Sequence, residues 1–320
     1  MSVHPENQMG IAKASLVRSP TRHRRWRWKE FSGFLFVLPW LIGFLAFQFI
    51  PFIASLAISF TDWNLGQTIT FVGFKNYVDL FQLEPLLVKS VFNTFYYAAF
   101  HVPGQMIIAF IVAILLNQKV MGQPIFRTLF YLPSITASVA SAVIWLWLFQ
   151  PAGIINQGLG VLGIDGPNWL NSVTWAMPAL IIMSFFGIGT EMVIYLAGLQ
   201  GIPQHLYDAA MIDGAGWWAK LRHVTLPMMT PYFFMTAILG VISSFQVFTP
   251  ALVMTNGGPG DATTFLILVL YWAGWQWFRM GYASAIAWIL MIFILLFTAL
   301  QFWLQRFWVF YEFEETSGRP

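Results

Sequence analysis

Residues 200–227 read QGIPQHLYDAAMIDGAGWWAKLRHVTLP and lie between two long apolar stretches, 174–199 and 232–254. Pro203 suits the first turn of a helix, where its missing N–H costs nothing. Leu206, Ala209, Ala210 and Asp213 then fall near one face at helical spacing. Gly214 ends that helix, as expected where the chain turns through a left-handed conformation. A second short helix with Trp217, Trp218 and Leu221 is expected next, with Pro227 leading into the following apolar stretch. The result is a partly apolar two-helix elbow. Apolar surface on such a projection needs a partner, and insertion of a helix into a groove on another protein is the natural mode.

The flanking composition says where the elbow projects from. Of 320 residues, 58% are hydrophobic and 9% charged, with a mean hydropathy of +0.68. A soluble domain carries about 25% charged residues, so this chain has too few charges to cover a globule in water. Its 16 Trp and 18% aromatic content fit lipid-facing surfaces with aromatic belts at the headgroups. With no Cys, disulfides, thiolate nucleophiles and Cys-ligated metals are excluded. The expected class is an all-α polytopic membrane protein.

A helix needs about 20 apolar residues to cross the hydrocarbon. Six stretches qualify: 34–60, 91–116, 127–149, 174–199, 232–254 and 282–303. Pro39, Pro51, Pro103, Pro133, Pro178 and Pro250 fall inside them. In a bundle, neighbours satisfy the freed carbonyls, so these prolines mark kinks, whether hinges or plain packing bends. Seven basic residues (Lys13, Arg18, Arg22, Arg24, Arg25, Arg27, Lys29) precede the first stretch, the bias of a cytoplasmic tail. Arg24-Arg25-Trp26-Arg27-Trp28-Lys29 suits anionic headgroups; an RNA-binding arm is the rival. The run after it, Phe34 to Phe60, far exceeds a signal-peptide core. With the tail inside, 13 of the 16 basic residues fall on the inner face, leaving only Lys75, Lys89 and Arg279 outside. Six spans put both termini in the cytoplasm. Residues 264–278 are uncharged but too short to cross, and are expected to be interfacial or re-entrant.

The elbow also carries a resemblance. Asp208-Ala209-Ala210, then Gly214, then Val224-x-Leu226-Pro227 resembles the EAA loop of permease subunits of ABC importers, with Asp for Glu and Val for Ile. Leu196-Ala197-Gly198-Leu199-Gln200-x-Ile202-Pro203, Phe126-Arg127-Thr128, Leu132-Pro133, Thr255-x-Gly257-Gly258-Pro259 and Gly281-Tyr282-Ala283-Ser284-Ala285 look like the carbohydrate-uptake branch, the maltose and glycerol-phosphate permeases. In position the chain is similar to the first of their two paired permeases, over residues 34–303. The resemblance implies the type I permease fold in a bacterial plasma membrane. The implied division is a basic tail (1–33), a first span with its external loop (34–90), a five-span core (91–303) whose coupling loop is 200–230, and a C-terminal tail (304–320). It implies a second permease, two ATP-binding subunits and an extracytoplasmic solute-binding protein as partners. The ATP and Mg would be held by the ATPase subunits, with no cofactor in this chain. Asp208 would pair with a basic residue of the ATPase, and Ala209, Ala210, Gly214, Leu226 and Pro227 would shape the coupling helix.

Candidate substrate contacts are the polar groups inside spans. Glu191 is the only carboxylate in one, which makes it a functional candidate; the alternative is a structural partner, whether within the chain, such as a neighbouring backbone group, or on the second permease. Gln246, flanked by Phe245, is a second candidate or else interhelical glue. Thr190 is a third. The Gly257-Gly258-Pro259 loop is a turn by chemistry; the resemblance makes it a docking point for the binding protein. The chain is expected not to be an enzyme. There is no His-Glu-x-x-His pair, no Gly-x-Ser-x-Gly elbow and no phosphate loop, so any ATPase is a separate chain. A channel or a transporter not coupled to ATP is the remaining alternative, and nothing resembles a selectivity filter. Nucleic acid is not an expected partner, because a membrane span follows the basic run at once.

Overall fold

The computed structural model describes residues 26–66, 68–83, 85–118 and 121–310. Most of the basic tail and residues 311–320 lie outside the described residues. Among the described residues the structure is helical, with two isolated β-bridges, Thr61–Phe71 and Asn64–Arg279. The helices used below are α1 (Leu35–Ser59), α2 (Lys75–Leu83), α3 (Pro85–Asn117), α4 (Gln123–Ile135), α5 (Ser138–Leu148), α6 (Ile154–Val161), α7 (Ala176–Gly187) and α8 (Gly189–Gly201). They continue with α9 (Gln204–Ile212), α10 (Trp217–Phe245), α11 (Leu266–Gln276) and α12 (Met280–Gln305).

The chain divides into two compact units, Met1–Ala54 and Ser55–Pro320. In the first, the helical run starts ahead of α1 at Trp26, carries Pro39 inside it, and widens to a π-turn at Leu45–Phe49. That turn sits just before Pro51, which lacks an N–H and crowds the preceding turn. Trp40 stacks on Phe44 at 5.5 Å between ring centroids.

The second unit takes in residues 55–90, from the first span and its external loop, together with the five-span core. Leu80 and Leu87 are fully buried in its core. Asn76 donates to the carbonyls of Ser59 (2.8 Å) and Thr61 (2.9 Å), closing the loop over the end of α1.

Among the described residues, four helices are long and apolar enough to cross a membrane: α1, α3, α10 and α12. The bent pairs α4–α5 and α7–α8 bring the number to six if each is one span. The third span differs from the continuous helix expected over 127–149. Its halves meet at 100°, with Thr136 and Ala137 extended between them. Ser134 and Thr136 hydroxyls bond back to the carbonyls of Tyr131 and Leu132, satisfying the chain without a helical ladder. The fourth span bends by 48° at Ile188.

Helix α3 is the central post. At 33 residues it is about 50 Å long at 1.5 Å per residue, and it enters all three apolar clusters. Leu87 and Ala98 pack with α11 and α12, Tyr97 packs with α7, and Ala109 and Ala113 pack with α8 and α10. Small residues permit that closeness. A Cβ on Gly104 would stand 2.6 Å from the Phe185 ring, at the bend of the fourth span. Helix α11 covers most of the uncharged stretch 264–278 and is short, as expected; one side of it is buried, while Trp275 near its end is 63% exposed. Leu266, Leu268, Val269 and Ala273 are buried between α3 and α12.

Candidate functional site

The elbow forms where the sequence places it, with one change. Helix α9 starts after Pro203 and ends at Ile212, and Gly214 takes φ +75°, the left-handed turn expected of it. The N–H of Ala215 bonds the carbonyl of Ala210 at 2.9 Å, closing the helix end. The second helix is not a separate short one. It runs from Trp217 through a π-turn at Leu221–Thr225 and past Pro227 into the fifth span, ending at Phe245. Pro227 falls in the first turn after the π-turn, where its missing N–H is tolerated. The arm and the span are therefore one lever.

The two arms are pinned at their base. Tyr207 Oη and Thr225 Oγ1 lie 3.0 Å apart, and Leu206, Val224 and Met228 pack on the cluster of Leu199, Ile202 and Met229. Leu206 and Ala210 are thus half-buried, while Ala209 and Asp213 of the expected face are exposed. The outward face of α9 consists of Asp208, Ala209, Met211 and Ile212, with Ile212 87% exposed. Asp208 accepts a hydrogen bond from Gln204 Nε2 at 3.2 Å. Met211 and Ile212 escaped the sequence reading, although both are large apolar residues beside Asp208. Leu226 and Pro227 are half-buried at the root of the lever.

At mid-span, Glu191 lies in the first turn of α8, immediately after the bend. A helix N-terminus favours a carboxylate there. The side chain that reaches it is Gln105 of α3, and Oε2 of Glu191 has no hydrogen-bond partner. Thr190 beside it is exposed. Gln246 is exposed at the break that ends α10, whereas its neighbour Phe245 is buried among Phe95 and Phe297. Gln105 belongs to a stripe on α3 (Asn93, Tyr97, His101, Gln105) at spacing of four, which was legible in the sequence but unread. Nδ1 of His101 meets Ser184 Oγ at 2.7 Å.

The third group is the 255–264 loop, and it is more than a turn. Gly257 and Gly260 take positive φ, as do Asn256 and Asp261. Thr264 Oγ1 donates to the Gly257 carbonyl (3.0 Å) and Thr263 Oγ1 to that of Gly258 (2.8 Å). Asn93 Nδ2 donates to the carbonyls of Asp261 (2.8 Å) and Thr264 (3.0 Å), and Lys89 Nζ to that of Gly260. Gly257 is buried, and Gly258 and Pro259 are half-buried, so the presented surface is Asn256, Gly260 and Asp261.

The sequence profile of the family described as "Binding-protein-dependent transport system inner membrane component" matches residues 10–309. A probable ABC transporter permease protein, YesP of Bacillus subtilis (strain 168), is 38% identical over 92% of this chain and 96% of its own. The trehalose/maltose transport system permease protein MalF of Thermococcus litoralis is 31% identical over 86% and 94%. The arabinooligosaccharides transport system permease protein AraP of Bacillus subtilis is 30% identical over 87% and 91%. In fold, the chain is similar to one in the crystal structure of a bacterial alginate ABC transporter in complex with an alginate pentasaccharide-bound periplasmic protein. That match has a TM-score of 0.77 and 22% identity, and covers 88% of this chain and 97% of the other. The six candidate spans, the profile match across nearly the whole chain and these relatives agree: the chain belongs to the family of inner-membrane components of binding-protein-dependent transport systems.

Proposed function

We propose that this chain is one of two permease subunits of an ATP-driven importer that carries a sugar across the bacterial plasma membrane by alternating access. The observation that carries the reading is the pinned elbow, which holds Asp208, Met211 and Ile212 exposed on one face of a rigid lever that continues into a span. A helix of that kind fits a groove on an ATP-hydrolysing subunit, with Asp208 meeting a basic residue and the two apolar residues entering the groove. Because Trp217–Phe245 is one helix, displacement of the elbow moves the fifth span directly. ATP and Mg then belong to the partner, and this chain catalyses nothing.

Relatives named for arabinooligosaccharides and for trehalose and maltose support a carbohydrate as cargo. Thr190, Glu191 and Gln246 are the groups assigned to its path; Phe245 supports Gln246 from the core. A second, homologous permease completes the pore. The loop of Gly257, Gly258 and Pro259 presents Asn256, Gly260 and Asp261 to a solute-binding protein on the outer face, the termini lying on the cytoplasmic side. The test is co-expression with the genomic neighbours, followed by ATPase assays with the binding protein and a panel of sugars. Hydrolysis stimulated by a sugar, and lost in Asp208→Ala, supports the reading. A chain that purifies without an ATPase sinks it and favours a channel.

A further inference from the structure

A cleft lies between the base of the elbow, beside the Tyr207–Thr225 contact, and the adjoining end of α3. Its polar end, about 480 Å³, is lined by Asn117 and Gln118 where α3 stops, by Tyr207, and by Lys220. Over Ile114, Trp217 and Leu221 it continues into an apolar groove of about 360 Å³ lined by Phe110, Ile111, Leu115 and Trp218. The two parts share one wall, so the cleft is amphipathic along its length.

We propose that this cleft holds an anionic membrane phospholipid, its phosphate against Lys220 and the amides of Asn117 and Gln118, and an acyl chain along Phe110, Ile111 and Leu115. Charge complementarity is the first argument. Among the described residues, Lys220 is the charged residue that lines the cleft, no carboxylate joins it, and Arg222 and His223 follow on the same helix. Basic pockets between transmembrane helices are a recurring form of lipid-headgroup site. Depth is the second. Asn117 closes a helix that crosses the bilayer, which sets the polar end at headgroup level and the groove in hydrocarbon. Ile111 and Leu115 are more than half exposed, so the groove opens to the lipid side. The neighbouring Trp217 and Trp218 rings, 5.9 Å apart and both mostly exposed, suit the interfacial belt. A free phosphate would leave the groove unused, and a neutral lipid would leave Lys220 without a counter-charge.

The site is separate from the outward face of α9, since Tyr207 lines the cleft while Asp208, Met211 and Ile212 do not. The proposal rests on the span assignment and not on the importer's cargo. To test it, the full-length chain with any subunits that purify with it is stripped in detergent and returned to nanodiscs of phosphatidylcholine, with or without phosphatidylglycerol. Bound lipid is then read by native mass spectrometry. The wild type is expected to retain phosphatidylglycerol in preference to phosphatidylcholine. Lys220→Gln should lower that retention about fivefold, the factor given by about 1 kcal/mol per basic side chain at a lipid surface, and Lys220→Arg should keep it. Equal retention of the two lipids by the wild type overturns the proposal whether or not the variant folds. So does unchanged retention in a folded Lys220→Gln. Expulsion of phosphatidylglycerol when the ATP-hydrolysing subunit assembles also overturns it and gives the cleft to a protein interface.

Discussion

Tyr207 and Thr225 stand 18 residues apart in the chain and meet hydroxyl to hydroxyl at 3.0 Å, tying the first arm of the elbow to the lever that becomes the fifth span. Removing either hydroxyl, in Tyr207→Phe or Thr225→Val, should cost about 0.5–1.5 kcal/mol. The double variant should cost less than the sum of the two, because both singles lose the same bond. Unfolding of the purified chain, followed for all three variants, measures the coupling; strict additivity would remove the pin from the account.

Asp208 is exposed and accepts a hydrogen bond from Gln204 on the same helix; in the proposed function it pairs with a basic residue of the ATPase. Asp208→Ala should therefore leave the amount of protein in the membrane unchanged. Truncating one member of a buried interfacial charge pair costs about 2–5 kcal/mol, so assembly with the ATPase and uptake should both fall steeply. Asp208→Glu, which matches the commoner residue at this position of the EAA pattern, should retain uptake. Normal transport by Asp208→Ala would dismiss the pairing.

Asn93 is 7% exposed and holds the carbonyls of Asp261 and Thr264. In Asn93→Ala those carbonyls lose a buried donor, at a cost of about 1–3 kcal/mol. Amide exchange within 255–264 should accelerate while exchange in α9 stays as it was. Equal protection in variant and wild type would mean that the threonine bonds alone hold the loop.

Gly281 begins the last span against the 60–64 loop. A Cβ there would overlap the Thr61 carbonyl oxygen and stand 3.2 Å from the Trp63 nitrogen, both backbone atoms. Gly281→Ala should destabilise the chain by about 1–3 kcal/mol, the usual range for forcing a methyl into a packed contact. A thermal midpoint equal to that of the wild type would show that the loop yields freely.

The rough positions of the apolar helices were legible because hydrocarbon length sets a simple rule on consecutive apolar residues, and six spans result where each bent pair counts as one. The rule does not report bends. The break between α4 and α5 depends on Ser134 and Thr136 bonding back to the preceding turn, a local choice that hydropathy averages away. Nor does it report depth of packing. Residues 264–278 read as short and uncharged, but only the structure shows α11 buried between α3 and α12.

The candidate site divides in the same way. Gly214, with φ +75°, was readable because a left-handed turn after a helix favours glycine whatever surrounds it. The outward pair Met211 and Ile212, the partner Gln105 and the burial of Phe245 were not, because each depends on which helix lies opposite. The sequence by itself determined what is local: a membrane chain of six apolar stretches, an uneven placement of its basic residues, and an elbow with spaced Asp208, Gly214 and Pro227. The tertiary structure alone decided that α9 is pinned to the fifth span through Tyr207 and Thr225, and that Asn93 anchors a loop 168 residues away. Helical periodicity fixes the face on which a side chain lies, but which neighbour meets that face is set by the packing of the whole bundle.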